Sequence, residues 1–270
     1  MFTIFTTAKP FRGPFDVIQR NALGSWKRLP GEPQVLLLGR GPGYEEAARD
    51  LAIEQVPDVE ASESGIPLVN AMVEAAEARA RHSLMLLVAA DTLLFGDIVP
   101  VARLVADAFE RFCIVAGRQH VDQREAIDFS CPGWAEGIRA RASPSTADDV
   151  LAGDFFLYSR GLWGKIPPFV EGRTAVDNWL FYRVLERKGA LVDATEVVAT
   201  IHQDHDYSHH PQGIEGVFKG PEAEYNRSLA GGPPHLLSRD SANWMVGRDG
   251  LRRPRGFLRK RVRTWLRARV

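Results

Sequence analysis

The sequence predicts an α/β protein in which a mostly parallel central sheet is flanked by helices. Residues 34–39 and 83–90 are short, almost wholly apolar segments, as is typical of strands buried on both faces of a parallel sheet. Segments with helical spacing of apolar residues alternate with such strands, which predicts crossover connections between parallel strands. A chain of 270 residues can bury the core of this architecture without disulfide cross-links.

The individual elements follow from local patterns taken in chain order. The β-forming residues 2–6 predict the first strand, and Pro14 opens a helix in which Ile18, Leu23 and Trp26 share one face. Further strands are predicted at residues 112–117, 154–159, 191–192 and 197–202, and further helices at 45–53, 67–81, 98–111, 134–141, 174–188 and 222–229. The pattern loosens between residues 119 and 149, and residues 211–250 predict an irregular, Gly- and Pro-rich extension.

The composition predicts a cytoplasmic globular protein. The chain has 45% hydrophobic and 25% charged residues, which is ordinary for a globular domain. Its two cysteines, Cys113 and Cys131, imply no disulfide framework and favour a reducing compartment. The first residues lack the basic start and long apolar run of a secretion signal, and residues 84–90 are too few to span a bilayer.

The formal net charge of +0 hides an uneven distribution. Residues 251–270 contain nine basic residues and no acidic residue, which leaves the first 250 residues with a formal charge of −9. Apolar residues lie among these charges with roughly helical spacing, namely Phe257, Leu258, Val262, Trp265 and Leu266. We therefore predict a basic amphipathic helix over 251–270, which binds an anionic membrane surface or packs on the acidic remainder of the protein. Both interpretations stay open, whereas nucleic acid is not expected, because no base-reading motif accompanies the charge.

Asp91 is the first candidate functional residue. It directly follows the apolar segment 83–90, and open parallel sheets bind their ligands at the carboxyl ends of the strands. A carboxylate at this position can hold a divalent cation against the phosphates of a nucleotide. It can equally cap the helix that follows.

A histidine-rich segment is the second candidate. Four histidines lie between residues 202 and 210, which suggests metal binding or catalysis. His202 ends an apolar strand, so its position is the best defined, whereas His205, His209 and His210 also fit a solvated loop. No His-x-x-x-His pair with a glutamate is present, which argues against a zinc hydrolase.

Asp177 and the loop at residues 39–43 complete the candidates that local pattern supplies. Asp177 lies in the first turn of a predicted helix, where the helix dipole favours a carboxylate and where it could accept a proton from a hydroxyl. The loop Gly-Arg-Gly-Pro-Gly follows a strand and precedes a helix, but it has neither dinucleotide nor Walker spacing.

Several segments together resemble bacterial glycosyltransferases with the GT-A fold, especially small enzymes similar to the large inverting family 2. They are FTTAKPF at residues 5–11, IQRNALGSW at 18–26, VAAD at 88–91, VDNWL at 176–180, and DATE followed by IHQDHDYSH between 193 and 209. The resemblance covers most of residues 1–210, which we take as the nucleotide-sugar-binding catalytic domain. It fades in the extension over 211–250 and in the basic segment 251–270.

The resemblance implies a role for each matching residue. Asp91 would bind Mn or Mg on the donor diphosphate, His202 would complete the metal site, and Asp177 would be the catalytic base. Ala89 stands where such enzymes carry a first acidic or amide residue. The donor site would include Thr6, Thr7, Lys9, Arg20, Arg40 and Ala90, of which Thr6, Thr7 and Lys9 would line the base and ribose. Arg40 stands where relatives often carry an acid that recognises uracil, and Asp154 and Trp179 would lie on the acceptor side.

These roles predict a metal-dependent transfer of sugar from a nucleoside-diphosphate sugar to a hydroxyl, with inversion. The acceptor would be a glycan or a lipid-linked molecule of envelope or exopolysaccharide synthesis, reached at the inner face of the membrane if the basic segment binds there. Two alternatives stay open. A nucleotidyltransferase would need a Gly-rich basic loop after the first strand, which residues 7–13 match only in part. A non-catalytic binding protein on the same fold would fit the alanine at position 89.

Overall fold

A nine-stranded sheet forms the centre of the computed structural model, which describes residues 1–144, 153–206 and 212–254. The strands are β1 (Phe2–Thr6), β2 (Gln34–Leu38), β3 (Glu54–Val56), β4 (Leu84–Val88), β5 (Thr92–Leu94), β6 (Phe112–Val115), β7 (Arg118–Val121), β8 (Ser143–Pro144), β9 (Phe155–Ser159), β10 (Ala190–Asp193), β11 (Thr200–Gln203), β12 (Trp244–Gly247) and β13 (Gly250–Arg252). The helices are α1 (Pro14–Trp26), α2 (Tyr44–Asp50), α3 (Val69–Arg79), α4 (Ile98–Ala108), α5 (Trp134–Arg141), α6 (Val176–Glu186), α7 (Gly213–Lys219) and α8 (Pro221–Leu229).

The central sheet has the order β13-β12-β10-β6-β9-β4-β1-β2-β3. Strands β4, β1, β2 and β3 run parallel to one another, as do β6, β10 and β12. Strand β9 lies between the two groups and is antiparallel to both neighbours, and β13 is antiparallel to β12. The prediction of a mostly parallel sheet is confirmed, and the single reversed strand at its centre places the start of β9 beside the ends of β4 and β6.

Helices cover both faces of this sheet, because its strands are apolar on both sides. Side chains of α1, α2 and α4 pack in one core cluster with Ile4 and Leu86, whereas side chains of α3 and α6 pack in the other with Phe5 and Leu87. Neighbouring residues of one strand therefore point to opposite helical layers, as the period of a strand requires. This confirms the predicted α/β architecture.

A second sheet with the order β5-β11-β7-β8 stands beside the first in the described residues. Its strands have two to four residues each, which is too few to show alternation in the sequence. Sequence patterns therefore missed β5 directly after Asp91 and β7 and β8 in the segment predicted to be loose. Strand β11 begins at Thr200 rather than at 197, because Val197 and Val198 both donate their N–H groups to the Ala194 carbonyl in a turn.

The last described segment contains regular elements that the sequence did not predict. Helix α7 precedes α8 within the predicted extension, and β12 adds a strand beside β10. Leu251 and Arg252 belong to β13, so the helix predicted over 251–270 is wrong at its first two residues. Its apolar residues 257–266 lie outside the described ranges. No helix in the described ranges is both long and apolar enough to cross a membrane.

Candidate active site and cation site

Four chain segments meet at one edge of the central sheet. Strands β1 and β4 end there and lead into the loops that carry Lys9 and Asp91. Because β9 runs in the opposite direction, Asp154, which precedes it, lies at the same edge. Strand β11 of the second sheet pairs with β5 directly after Asp91, with His202 opposite Thr92. The fold thus brings together residues that are up to about two hundred positions apart.

Asp91 is the centre of this group. Its Oδ2 atom lies 3.2 Å from Lys9 Nζ and 3.1 Å from His205 Nε2, and its Oδ1 atom lies 3.2 Å from His202 Nδ1. Lys9 Nζ is also 3.1 Å from His205 Nε2. Asp91 is buried with 8% of its surface exposed, so its charge is balanced by these neighbours rather than by bulk water.

The donor atoms of Asp91, His202 and His205 fit a metal ion. One ligand atom from each residue lies within 4.8 Å of the other two. Asp91 Oδ1 and His202 Nδ1 are buried and lie 3.2 Å apart, and neither has another hydrogen-bond partner within the described part of the chain. A hydrogen bond from His205 Nδ1 to the Asp206 carbonyl, 2.7 Å long, would leave the Nε2 lone pair directed at Asp91. Metal-binding histidines are commonly oriented by such a bond to a carbonyl.

The charges of the group reinforce one another. Burial alone would raise the pKa of the Asp91 carboxyl, but attraction to His202 and Lys9 outweighs it and holds this pKa well below its usual range. Burial likewise would lower the pKa of His202, and the Asp91 carboxylate raises it instead. The site therefore contains an ionised carboxylate, whose negative charge favours the binding of a cation.

Buried amide side chains fix the backbone around Asp91. The Asp91 carbonyl accepts hydrogen bonds from the backbone and side-chain N–H groups of Gln203, at 3.0 and 3.2 Å. Gln203 accepts in turn from Asn21 Nδ2 at 3.1 Å. Gln19, only 2% exposed, binds Lys9 twice: Oε1 accepts from its N–H at 2.6 Å and Nε2 donates to its carbonyl at 2.9 Å. Helix α1 thus holds both the Asp91 and the Lys9 loops, a function that its apolar face alone did not reveal.

Asp154 lies close to two sets of residues, the cluster around Asp91 and the carboxyl groups of Asp177 and Glu171. Its Oδ2 atom accepts a hydrogen bond from Arg118 Nη1 at 3.0 Å and lies 3.9 Å from His202 Nδ1. Asp154 and Arg118 also act electrostatically on Asp177. The predicted acceptor-side residue therefore lies between the candidate metal ligands and the candidate base.

Asp177 is half-buried in the first turn of α6, where its Oδ2 atom accepts a hydrogen bond from the Gly153 N–H at 2.9 Å. Burial raises the pKa of the Asp177 carboxyl to about 8, with further contributions from Glu171 and Asp154. Burial also raises the pKa of Glu171 to about 7. A carboxyl group whose pKa lies near neutrality can accept a proton from a hydroxyl and release it again, as a general base must.

The residues predicted to contact the nucleotide lie only in part at the same edge. Thr6 is buried, and its hydroxyl donates to the Thr7 carbonyl at 2.9 Å, while Thr7 Oγ1 lies 3.3 Å from the Tyr44 hydroxyl. Arg40 is exposed and pairs with Asp58 beside a cleft of about 480 Å³ between residues 40–49 and 55–57. The cleft contains none of the residues around Asp91. Lys9, expected near the base and ribose, directs its ammonium to Asp91 instead.

Other predicted residues are not brought into the cluster of Lys9, Asp91, His202 and His205. Arg20 pairs with Asp16 at 2.7 Å and Asp50 at 3.0 Å along α1 and α2. Trp179 is 7% exposed and packs edge-on against Phe169 in the core. Ala90 is buried beside Asp91, where its methyl group offers no polar atom.

Sequence patterns missed His205 as a partner of Asp91. The three-residue spacing from His202 was the available signal, but it could not show that the chain turns back towards Asp91 after β11. His209 and His210 lie outside the described residues.

Neither a family model nor a curated protein matches the sequence. A mannosyltransferase from Pyrobaculum calidifontis, solved with GDP-Man and Mn²⁺, matches with a TM-score of 0.51 and 10% identity over 78% of this chain and 59% of its own. Residues 1–349 of TarS from S. aureus, solved with UDP-GlcNAc, match with 0.52 and 12% over 77% and 60%. Glucosyl-3-phosphoglycerate synthase from M. tuberculosis matches with 0.51 and 13% over 86% and 81%.

The chain has the GT-A fold. It spans about three fifths of the first two matched chains, so their additional segments have no counterpart in the comparison. In this GT-A chain the Asp91 group occupies the carboxyl edge of the sheet, where open α/β folds bind ligands. The predicted fold is thereby confirmed.

Proposed function

We propose that the protein is a glycosyltransferase that moves a sugar from a nucleoside-diphosphate sugar to a hydroxyl acceptor with the help of a divalent cation. The observation that carries this proposal is the convergence of Asp91, His202 and His205 at the carboxyl edge of a GT-A sheet. One named match is a mannosyltransferase and another is a glucosyl-3-phosphoglycerate synthase, and two of the three were solved with nucleotide sugars, which supports the same donor class here.

The cation would be held by one carboxylate and two imidazoles. This donor set suits Mn²⁺ better than Mg²⁺, because magnesium prefers oxygen ligands and retains its water. When bound, the cation would neutralise the negative charge that develops on the departing diphosphate. Gln203 and Asn21 would keep the carboxylate in place during turnover, since they fix the Asp91 backbone rather than its charged oxygens.

Asp177 would deprotonate the acceptor hydroxyl. Its carboxyl oxygen is held by the Gly153 N–H at the beginning of α6, and Asp154 connects it electrostatically to the candidate metal ligands. With Asp177 on one side of the sugar and the diphosphate departing from the other, transfer would be a single displacement with inversion. Asp154, which pairs with Arg118, would orient the acceptor between them.

The domain limits and the membrane partner are proposed from the sequence alone. Residues 1–210 would form the catalytic domain, and the basic segment 251–270 would hold the enzyme at an anionic membrane surface. An acceptor linked to lipid or to an envelope glycan fits that location, at the cytoplasmic face. The Arg-rich composition beyond β13 supports this partner.

Thermal-shift measurements with a panel of nucleoside diphosphates test the proposal. We expect one of ADP, GDP, UDP, CDP and dTDP to stabilise the wild type in Mn²⁺ and not in EDTA. At a concentration of about 100 times Kd, binding adds about 2.7 kcal/mol, or a shift of roughly 5–10 °C for a chain of this size. Asp91→Asn should abolish the shift, while Asp122→Asn, which alters an exposed ion pair with Arg124, should retain it. A wild type that shows no metal-dependent shift with any diphosphate would refute the proposal.

A further inference from the structure

The Lys9 ammonium contacts two of the atoms that would hold a divalent cation, Asp91 Oδ2 and His205 Nε2. Its ammonium nitrogen lies 3.2 Å from Asp91 Oδ2 and 3.1 Å from His205 Nε2, and these two atoms are 3.1 Å apart. The three atoms form a nearly equilateral triangle with the positive charge at one corner. A lysine ammonium is a compact point charge on a flexible stem, so it can both fill such a position and leave it.

The backbone of Lys9 is held more firmly than that of an ordinary loop residue. Both its N–H and its carbonyl bind the buried amide of Gln19. The preceding residue, Ala8, binds the Tyr44 hydroxyl through its N–H and through its carbonyl. The ammonium itself lies 5.0 Å from the centre of the Phe15 ring, which offers an attractive aromatic face. The loop therefore presents one charged group to Asp91 from a fixed anchor.

A metal ion and the Lys9 ammonium cannot use the same two atoms together. A divalent ion held by Asp91 and His205 would need ligand atoms of both residues, at bond lengths of about 2.0–2.2 Å. The ammonium now contacts Asp91 Oδ2 and His205 Nε2, and two like charges in so small a space repel each other strongly. The single negative charge of Asp91 cannot neutralise the Lys9 ammonium and a divalent ion together.

We propose that Lys9 is an exchangeable cation that neutralises Asp91 until a divalent ion binds. The Lys9 side chain then leaves Asp91 and His205 to the divalent ion, and its ammonium contacts the donor diphosphate instead. This inference rests on the proposed function, because it requires the metal and the diphosphate to bind at this edge. The diphosphate supplies the negative charge that makes the exchange favourable. Metal and diphosphate must then strengthen each other's binding, and by the same factor in both directions.

Titration calorimetry on the full chain tests the exchange. Lys9→Met removes the charge with little change in length, Lys9→Arg retains the charge, and Lys165→Met is a control at an exposed lysine far along the chain. We expect Lys9→Met to bind Mn²⁺ alone about tenfold more tightly than the wild type, because the metal no longer displaces a charged hydrogen bond. Lys9→Arg and Lys165→Met should remain within about twofold of the wild type.

The second titration uses the nucleoside diphosphate, among ADP, GDP, UDP, CDP and dTDP, that the wild type binds most tightly in saturating Mn²⁺. Here Lys9→Met should bind about tenfold more weakly, since a charged contact to phosphate is lost. Unchanged or weaker Mn²⁺ binding by Lys9→Met, equal tightening by Lys9→Arg, or an unchanged diphosphate affinity would each overturn the exchange. If neither the wild type nor Lys9→Met binds Mn²⁺ or any diphosphate, the proposed function fails together with it. If the wild type binds both and Lys9→Met alters neither, only the role of Lys9 is refuted.

Discussion

Replacing Asp177 by asparagine separates its proposed chemical role from its structural one. Asparagine retains an oxygen that can accept the Gly153 N–H bond, but it cannot take up a proton. The loss of a general base lowers turnover by about 10²–10⁴-fold, while donor binding in Mn²⁺ should stay near that of the wild type. Asp16→Asn, also in the first turn of a helix, is the matched control and should turn over normally.

The pH profile of the wild type adds a second readout. Burial raises the pKa of Asp177 to about 8, so only about one molecule in ten carries the carboxylate at pH 7. We expect kcat/KM to rise about tenfold per pH unit below pH 7 and to level off above about 8. Residual activity of Asp177→Asn should lack this rise.

The free energy of unfolding should fall as the pH rises, whereas kcat/KM should rise. The folded-state pKa of Asp177, about 8, lies above the ordinary value of 3.8, so the folded protein holds a proton that the unfolded chain releases. This contribution to stability is fully present below pH 3.8 and is lost as the pH rises through 8. Between these values the group lowers the free energy of unfolding by about 1.4 kcal/mol per pH unit. Urea denaturation at pH 5, 6, 7 and 8 should show that the free energy of unfolding falls less steeply with pH in Asp177→Asn than in the wild type, by about 1.4 kcal/mol per pH unit. Equal slopes in both proteins, or wild-type turnover in the variant, would refute the reasoning.

Three further substitutions test the surroundings of Asp91. Asn21→Ala should lower the free energy of unfolding by about 1–3 kcal/mol in urea denaturation, because it leaves a buried acceptor of Gln203 without its partner; a loss below 0.5 kcal/mol would contradict this. His205→Ala should weaken Mn²⁺ binding at least about tenfold by calorimetry, whereas unchanged affinity would remove His205 from the site. Arg20→Ala should leave the affinity for the nucleoside diphosphate within about twofold, because its charge is engaged by acidic residues of α1 and α2; a tenfold loss would restore Arg20 to the donor site.

The strands and helices of the central sheet could be predicted because their signals are local. Apolar runs such as residues 83–90 report burial on both faces, and the end of such a run directly identifies Asp91 as a residue of the ligand-binding edge. The proximity of Asp91 and His202 comes from the second sheet, in which β11 pairs with β5 directly after Asp91. The resemblance to GT-A enzymes named the fold correctly.

The remaining parts of the site depend on contacts that no local pattern records. Gln203 and Asn21 bind across 182 positions, and Lys9 and His205 approach across 196. Polar residues on the buried face of α1 lower its amphipathic signal, although they position the site. His205 belongs to a loop whose direction is set by pairing of β11 with β5 and β7, strands too short to be recognised in sequence.

Anomalous diffraction from a crystal grown with Mn²⁺ and the best-binding nucleoside diphosphate tests the central claim most directly. The account predicts a manganese peak within about 2.0–2.3 Å of an Asp91 carboxylate oxygen and of nitrogens of His202 and His205, with diphosphate oxygens completing its coordination. Asp91→Asn crystals treated in the same way should lack the peak. A manganese ion bound elsewhere, with the diphosphate away from Asp91, would contradict the account.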